Sequence, residues 1–265
     1  MDNFLELDEK VIIVTGGSSG IGNAIVKVLN KNKAKVVVAD IDTEDKIEEG
    51  ILYVKTDVTN LDSINILIEK VEKKYGRIDV LINNAGINKP NLLVDFYSDK
   101  EQFEIDNQSF ELMFNINVKG YVFMAQAVVK SMLRHNIEGR IINITSEAGV
   151  EGSVGQSIYS ATKGATNGLT RSWGKELGDK GIKVVGIAPG INEETGLTTP
   201  EYNEALAYTR NIPVESIGIG YEKSIPLRRK GKLEEIGYLA AFLSSNKSEY
   251  ITGTTINITG GKSRG

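Results

Sequence analysis

The sequence predicts an α/β protein built on a single doubly wound parallel sheet with helices on both faces. Short β-branched segments alternate along the chain with segments whose apolar residues recur at helical spacing, which implies right-handed crossovers between parallel strands. A glycine-rich loop directly follows the first predicted strand. The 265 residues suffice for one large core, since a chain of this size buries roughly three quarters of its surface.

The predicted elements alternate in the order that such a sheet requires. Strands are predicted where β-branched runs suit burial on both faces, over 10–15, 35–40, 51–56, 79–83, 140–145, 182–188 and 254–259. Helices are predicted from apolar residues at i, i+3, i+4 and i+7, over 21–29, 61–76, 109–135 and 157–178. Because no linker, repeat or low-complexity tract divides the chain, we predict one domain over residues 1–265.

Two stretches fall outside this alternation. Residues 190–230 follow the carboxyl end of a predicted strand, where open α/β sheets bind ligands, so we interpret them as a substrate lid. Within them, Thr199 followed by Pro200 predicts the start of a helix. Residues 88–108 carry scattered acidic side chains, which we interpret as a solvated face, and the segment is a candidate rim for the lid.

Composition excludes several classes of function. Lys and Arg number 31 against 35 Asp and Glu, a formal net charge of −4, and no basic block marks a nucleic-acid binder. No apolar run approaches the ~20 residues that span a bilayer, and acidic residues stand where a signal peptide needs basic ones. Without cysteine there are no disulfides or thiolate metal sites, and the sole histidine, His135, lacks a second ligand. We expect a cytoplasmic protein that binds neither nucleic acid, membrane nor metal.

The loop between the first strand and the first helix is a candidate nucleotide site. It has the sequence Thr-Gly-Gly-Ser-Ser-Gly-Ile-Gly over residues 15–22. Glycines let the backbone approach a pyrophosphate at the helix N-terminus, where free N–H groups and the helix dipole favour negative charge. The strand–loop–helix context therefore predicts dinucleotide binding. The residues expected to bind are Gly16, Ser18, Ser19, Gly20, Ile21 and Gly22.

Asp40 decides between the two nicotinamide dinucleotides. It ends the second predicted strand 18 residues after Gly22, close to the roughly 20 expected for a carboxylate on the adenosine ribose. Its charge repels a 2′-phosphate, and no Lys or Arg in the glycine loop or immediately after Asp40 offsets that repulsion. An ordinary turn aspartate is the alternative interpretation. We predict NAD rather than NADP.

Tyr159 and Lys163 are candidate catalytic residues. They stand four residues apart in a predicted helix, hence on one face. A phenol with a pKa near 10 must be stabilised as phenolate by roughly 4 kcal/mol to titrate near pH 7. A partly desolvated Lys ammonium and a cationic nicotinamide ring are groups that supply such stabilisation. Ser146, after the strand predicted over 140–145, is placed to donate a hydrogen bond to a substrate oxygen.

Further motifs follow in a fixed order, namely Asp57-Val58, Asn83-Asn84-Ala85-Gly86, Asn117 in Asn-Val-Lys-Gly, Ser146 in Ser-Glu-Ala-Gly, Tyr159-Ser-Ala-Thr-Lys163 and Pro189-Gly190. With these motifs the chain resembles the short-chain dehydrogenase/reductases over essentially its whole length. The resemblance implies a Rossmann fold and an NAD-dependent oxidoreductase. Tyr159 is then the general acid/base, Lys163 tunes it and binds the nicotinamide ribose, and Ser146 orients the carbonyl or alcohol.

The same resemblance implies further roles and an assembly. Asn117 is expected to hold a water in a proton relay, although a buried Asn that only satisfies backbone groups is the alternative. A homotetramer built on the helices predicted over 109–135 and 157–178 is also implied. The remaining cofactor contacts are expected from Asp57, Val58, Asn84, Ala85, Gly86, Pro189 and Gly190.

The lid carries the prediction of substrate. Its polar residues, with Asn192, Glu193 and Glu194 among them, favour a hydroxylated substrate, and the lid resembles that of family members that interconvert a hexitol 6-phosphate and a ketohexose 6-phosphate. We therefore predict a phosphosugar oxidised at C2. Alternatives are another polyol/ketose or 3-oxoacyl-thioester reductase of the family, or a non-catalytic NAD-binding sensor. The candidate substrate contacts are Glu147 and Glu151 for hydroxyls and Arg210 for the phosphate, with Lys89, Lys119, Lys262 and Arg264 as alternative cations.

Overall fold

The computed structural model describes residues 4–97, 103–196 and 198–263, and these contain one eight-stranded sheet. Its order is β3-β4-β2-β1-β5-β6-β7-β8. All neighbouring strands run parallel except the edge pair β3 and β4. The strands are β1 Val11–Thr15, β2 Lys35–Asp40, β3 Lys46–Glu48, β4 Ile51–Lys55, β5 Val80–Asn83, β6 Arg140–Ile144, β7 Lys183–Pro189 and β8 Thr254–Ile258.

The doubly wound parallel sheet predicted from the sequence is confirmed, with one addition at its edge. The hairpin partner β3 was not predicted, because its three residues are exposed and lack an apolar pattern. Its signal is the turn that follows, in which Glu49 and Gly50 both have positive φ, the backbone that two-residue hairpin turns require.

Eight α-helices of the described residues cover the sheet or border the site, and some of them, including the short helix Ala148–Glu151, differ from the prediction. The helix predicted over 109–135 is divided by a π turn at Asn115–Lys119, and the helix α8 was not predicted. They are α1 Gly20–Lys31, α2 Leu61–Tyr75, α3 Asn107–Phe114, α4 Gly120–Arg134, α5 Ala148–Glu151, α6 Ser157–Glu176, α7 Pro200–Thr209 and α8 Leu233–Ser244.

The core consists of two layers, one on each face of the sheet. In β1, Ile12 and Val14 point into the layer with α1 and α8, whereas Val11 and Ile13 point into the layer with α2 and α4. Side chains alternate between the faces of a strand, so a strand apolar at every position indicates burial on both faces. This is why the β-branched runs predicted the layered architecture correctly.

The helical stretch Asn107–Arg134 is long and apolar enough to cross a membrane by length and composition. This differs from the sequence expectation that no apolar run reaches that length, because the π turn and α4 extend one helical path. Met124 and Val128 of this stretch lie fully buried in the core layer that α4 shares with α2. Such packing is typical of a core helix.

Candidate active site

A cleft of about 410 Å³ opens at the carboxyl ends of the central strands. The chain order of the parallel strands reverses on either side of β1, the position where open α/β sheets bind ligands. Fifteen residues predicted for the site line this cleft: Gly16, Ser19, Gly20, Ile21, Asp40, Asp57, Val58, Asn84, Ala85, Gly86, Ser146, Tyr159, Lys163, Pro189 and Gly190.

Ser18 and Gly22, which were expected to bind the cofactor, are not part of the cleft wall, and their cofactor contacts stay predictions. A Cβ on Gly22 would overlap the carbonyl oxygen of Gly16 and lie 2.6 Å from Asn84 Nδ2. Gly22 therefore allows α1 to pack against the loop. The backbone N–H of Ser18 donates to Asp40 Oδ2 at 2.9 Å, so Ser18 orients the carboxylate.

Asp40 lies at the end of β2 with only 8% of its surface exposed. Its second oxygen accepts a hydrogen bond from the backbone N–H of Asp42 at 3.0 Å. Asp42 itself lines the cleft, so two carboxylates lie at this end. Asp42 was not among the predicted cofactor contacts, although its position two residues after the end of β2 could have indicated it.

Hydrogen bonds from the end of β5 hold the glycine loop in place. Thr15 Oγ1 accepts from the backbone N–H of Asn84 at 2.9 Å and of Ala85 at 3.0 Å. Asn84 Nδ2 donates to the carbonyls of Thr15 and Gly16, both at 3.0 Å. Because partners come from two adjacent strand ends, these motifs act as one structural unit.

Ser146, Tyr159 and Lys163 lie together at the inner end of the cleft. Ser146 hydrogen-bonds the Tyr159 phenol, and Lys163 Nζ is 5.7 Å from the Tyr159 ring centroid. Lys163 Nζ donates to the Ile144 carbonyl at 2.8 Å. Close packing of α5 on α6 fixes this arrangement, since a Cβ on Gly149 would lie 2.6 Å from the Lys163 backbone.

Burial shifts the pKa values of both titratable groups. It raises the pKa of Tyr159 to about 12, an effect that the Ser146 hydrogen bond partly offsets. It lowers the pKa of Lys163 to about 8. The lysine was expected to bring the phenol pKa down, but burial of the phenol acts in the opposite direction and raises it. Titration of Tyr159 near pH 7 requires roughly 7 kcal/mol of added phenolate stabilisation rather than 4.

Asn117 is fully buried in the π turn between α3 and α4. Its Nδ2 donates to the Ile87 carbonyl at 2.9 Å and to Thr162 Oγ1 at 3.1 Å, and its Oδ1 accepts from the Ile87 N–H at 2.9 Å. These contacts match the structural alternative, and the role in a proton relay stays a prediction. A π turn within a helix is frequently found at functional sites.

Glu147 and Glu151, both predicted substrate contacts, are not part of the cleft wall, and their substrate contacts stay predictions. Glu147 Oε1 pairs with Lys262 Nζ at 2.7 Å, because that ammonium draws the carboxylate towards the C-terminal segment. Glu151 is exposed at the end of the four-residue helix α5. The pairing of Glu147 with Lys262 was not visible in the sequence, since the two residues are 115 positions apart.

The lid contains the expected helix α7, and Arg210 ends it. Thr199 Oγ1 accepts from the Tyr202 N–H at 3.2 Å, with Pro200 in the first turn. Arg210 donates to the Tyr221 hydroxyl at 2.8 Å and to Ser153 Oγ at 3.3 Å. The other candidate cations are dispersed: Lys89 and Lys119 are exposed, Lys262 pairs with Glu147, and Arg264 is outside the described residues.

The prediction that residues 88–108 form a solvated face is wrong in part, because Asp95 is buried with 6% exposure. Its two oxygens accept from the Tyr208 hydroxyl at 3.0 and 2.8 Å, and Tyr208 packs on Phe103 with ring centroids 4.4 Å apart. The segment therefore contacts the lid. Two acidic residues of the run, Asp99 and Glu101, are outside the described residues.

The other lining residues were not among the predicted site residues, although Asn192 was noted as a polar residue of the lid. Thr195 and Gly196 reach the cleft from the start of the lid, and a Cβ on Gly20 would lie 3.3 Å from Thr195. Among the residues that the structure describes, no group of three or more His, Cys, Asp or Glu side chains is placed to hold a metal ion. The remaining additions lie beside strand ends and include Ala39, Ile41, Thr56, Thr145 and Asn192.

Comparisons with known proteins agree with this geometry. Residues 10–205 match the family model described as short chain dehydrogenase. The chain is 50% identical to sorbitol-6-phosphate 2-dehydrogenase of Klebsiella pneumoniae over 100% of both chains.

Two solved structures extend the comparison. The aldohexose dehydrogenase of Thermoplasma acidophilum is similar with a TM-score of 0.83 and 27% identity, covering 98% of this chain and 96% of that one. The 3-ketoacyl-(acyl-carrier-protein) reductase of Brucella melitensis, in complex with NADH, is similar with a TM-score of 0.79 and 26% identity, covering 97% and 100%.

Proposed function

Because the chain belongs to the short-chain dehydrogenase family, we propose that it is an NAD-dependent oxidoreductase that interconverts sorbitol 6-phosphate and fructose 6-phosphate. The observation that carries the substrate is the 50% identity to a sorbitol-6-phosphate 2-dehydrogenase over both full lengths. The polar lid supports it, since Arg210 and Tyr202 of the lid, with Gln156 beside it, offer hydrogen bonds that an acyl chain does not need. We place the activity in one domain, residues 1–265, with residues 190–230 as the lid.

The cleft fits a nicotinamide dinucleotide, and its charge favours NAD. A Cβ on Gly16 would lie 2.9 Å from Ala85 Cα, so the glycine keeps a cradle open beside the N-terminus of α1. That helix end suits the pyrophosphate. Asp40, held by two backbone N–H groups, faces the ribose position, where Asp42 adds a second negative charge against a 2′-phosphate. When bound, the oxidised nicotinamide ring supplies a positive charge and accepts hydride from C2.

Proton transfer is assigned to Tyr159. As a phenolate it accepts the proton of the C2 hydroxyl while that carbon becomes the carbonyl, and in the reverse direction it returns the proton. Ser146 donates to the same substrate oxygen, and the Lys163 ammonium stabilises the phenolate electrostatically. Because the pKa of Lys163 is about 8, most of this lysine is protonated at pH 7. Asn117 is assigned to a proton relay that restores Tyr159.

Arg210 is assigned to the substrate phosphate. It is half-buried in the lid, and within the described part of the chain it has no carboxylate partner at ion-pair distance. Its present partners, the Tyr221 and Ser153 hydroxyls, are neutral. A guanidinium without a counter-charge is suited to two parallel hydrogen bonds with a phosphate.

The proposal is tested by initial rates of NADH formation with sorbitol 6-phosphate, with plain sorbitol and NADP in parallel. Turnover of the phosphosugar with NAD and little with either alternative is expected. Equal rates on sorbitol would indicate a general polyol dehydrogenase, and activity only on 3-oxoacyl thioesters would indicate the alternative seen in the Brucella relative's name. Binding of NADH without turnover of any of these would indicate a sensor.

Arg210→Ala tests the phosphate assignment. We expect KM for sorbitol 6-phosphate to rise about tenfold or more, as loss of a hydrogen bond to a charged group implies, with KM for NAD unchanged. Arg228→Ala is the matched control, since Arg228 is an exposed lid arginine that contacts the Lys223 carbonyl. An unchanged KM for the phosphosugar in Arg210→Ala would contradict the assignment.

The proposal also includes a cytoplasmic homotetramer. Light scattering of the purified protein should give four times 28.9 kDa. Because we place the contacts on the helical stretch Asn107–Arg134 and on α6, an exposed apolar residue there, such as Leu133, is the site for a charged substitution. Leu133→Glu is expected to shift the mass towards a smaller assembly.

A further inference from the structure

Three polar side chains meet at the hydroxyl of Tyr202 on the inner side of the lid. Gln156 Nε2 donates to this oxygen at 2.9 Å, and Asn88 Nδ2 donates to it at 3.3 Å. Gln156 is buried, with 8% exposure, and the other two are half-buried. The cluster joins three segments that are distant in sequence, namely the residues after β5, the start of α6 and the helix α7.

This cluster lies beside the reacting group. Gln156 is the residue before α6, three positions ahead of Tyr159. Tyr202 is close enough that its interaction with Tyr159 adds to the burial that raises the pKa of the latter. Burial also raises the pKa of Tyr202, and the guanidinium of Arg210 partly offsets that rise. Tyr202 is thus electrostatically coupled both to the proposed catalytic phenol and to the proposed phosphate ligand.

The hydrogen-bonding capacity of the cluster is incompletely used. The Tyr202 oxygen accepts two N–H donors, and its own proton has no acceptor among the described residues. Asn88 Oδ1 is buried and, within the same part of the chain, has no donor. Buried polar groups are nearly always paired in proteins, and leaving them unpaired is unfavourable. One free donor and one free acceptor match a hydroxyl group, which both accepts and donates, whereas a methylene chain satisfies neither.

We infer that Tyr202, Gln156 and Asn88 form a subsite for the hydroxyl groups of the substrate chain between the reacting carbon and the phosphate. Tyr202 is then the residue through which the lid distinguishes a polyol from an aliphatic chain. Of the three residues, only Tyr202 belongs to the lid. The lid therefore contributes to this subsite through the packing of α7 beside the start of α6. The inference deepens the proposed function and rests on it.

The test combines a change in the protein with a change in the substrate. Tyr202→Phe removes the hydroxyl and keeps the ring, and the substrates are sorbitol 6-phosphate and its analogues that lack the hydroxyl on C3, C4 or C5. We expect the variant to lower kcat/KM for sorbitol 6-phosphate about fivefold to tenfold. For the analogue that lacks the recognised hydroxyl, kcat/KM of the variant and of the wild type should differ less than about twofold. The interaction is already absent with that analogue, so removing the Tyr202 hydroxyl has no further effect.

Tyr208→Phe is the matched control, since it makes the same change on the same helix but affects the contact with Asp95. It should act alike on all four substrates, and the Kd for NADH, measured by fluorescence, should stay constant in both variants. Asn88→Ala should reproduce the dependence on one hydroxyl. A loss in Tyr202→Phe that is equal for every analogue, or no loss at all, would overturn the inference and leave the proposed function intact.

Failure of the proposed function has a different signature. If the wild type turns over plain sorbitol rather than the phosphate ester, the same comparison is made with the deoxy analogues of sorbitol. Dependence of the Tyr202→Phe effect on one hydroxyl would then support the subsite, and an equal effect on every analogue would overturn it. If the wild type with NAD turns over no polyol, both proposals are overturned.

Discussion

The cleft and the lid are built from different kinds of interaction. In the cleft, backbone groups do most of the positioning, since Asp40 is held by two N–H groups and the glycine loop admits no Cβ at Gly16 or Gly22. In the lid, side chains hold one another, as in the contacts of Tyr208 with Asp95 and of Arg210 with Tyr221. Backbone geometry restricts what a cleft can bind, whereas side-chain contacts change with single substitutions.

The two regions also differ in burial. All five residues of β1 are buried, whereas residues 211–216 of the lid are all exposed. Segments with few buried contacts open at lower free energy than the core. A lid held by side-chain contacts can differ between proteins of one fold while the backbone-built cleft stays the same. The similar structures are accordingly named for acyl and for sugar substrates.

The largest effect is expected from Gly22→Ala, which tests whether the cleft depends on backbone packing. The added methyl overlaps the Gly16 carbonyl, and backbone cannot move aside as a side chain can. We expect a loss of about 3 kcal/mol in stability and at least tenfold in NADH affinity, measured by unfolding and by fluorescence titration. Gly50→Ala is the control, because a Cβ there meets nothing within 4 Å. Alanine at this positive φ should lower the free energy of unfolding without changing NADH affinity. Unchanged NADH affinity in Gly22→Ala would contradict the view that backbone packing, rather than side-chain contacts, positions the cleft.

Lys163→Met tests the buried charge at the end of the cleft through pH. The folded-state pKa is lowered from 10.5 to about 8, so the unfolded chain binds this proton more tightly. The wild type therefore carries a penalty of about 3 kcal/mol below pH 8 that disappears as the pH rises towards 10.5.

Urea unfolding at several pH values provides the measurement. The free energy of unfolding of the variant minus that of the wild type should fall by about 3 kcal/mol from pH 7 to pH 10.5. Lys10, whose pKa burial also lowers to about 8, is present in both proteins and cancels. Turnover should fall by about 10² or more, as for loss of an acid–base partner. A difference independent of pH would contradict the lowered pKa.

Asp40→Asn sharpens the comparison at the cofactor end. With one negative charge removed, the ratio of kcat/KM for NAD to that for NADP should fall about tenfold, which corresponds to about 1.4 kcal/mol. Asp42→Asn should give a smaller fall, because Asp42 is more exposed and solvent screens its charge. An equal effect of the two substitutions would show that the preference for NAD depends on net charge. It would then not depend on the position of the Asp40 carboxylate, which the N–H groups of Ser18 and Asp42 fix.

The smallest effect is expected from Thr199→Ala, which removes the cap of α7. Loss of one N-cap destabilises a helix by about 1 kcal/mol, so KM for the substrate should rise less than threefold and the Kd for NADH should not change. Faster hydrogen exchange confined to residues 200–209 is the direct measurement. Asp106→Ala removes the equivalent cap of α3, where Asp106 accepts from the Ser109 N–H at 2.7 Å, and should leave exchange in the lid unaltered.

Local sequence was sufficient for the seven parallel strands and for most helices, and together with the motifs of the family resemblance it predicted many residues of the cleft. The start of α7 at Thr199-Pro200 and fifteen lining residues of the cleft were predicted from strand ends, glycines and motifs. The prediction was weakest for side chains whose partners are far along the chain. The pairing of Glu147 with Lys262 was not predicted, and Asp95 was assigned to solvent although it is buried and accepts a hydrogen bond from Tyr208.

By itself the sequence determined the seven parallel strands, the position of the glycine-rich loop and which phenol and lysine share a helix face. These features depend on backbone preference and on periods of two or about 3.6 residues, which act over a few positions. Tertiary structure alone decided the π turn at Asn117, the opposing pKa shifts of Tyr159 and Lys163, and the meeting of Tyr202 with Gln156 and Asn88. Burial and hydrogen bonding between distant segments set these features, and both arise only when the chain has packed.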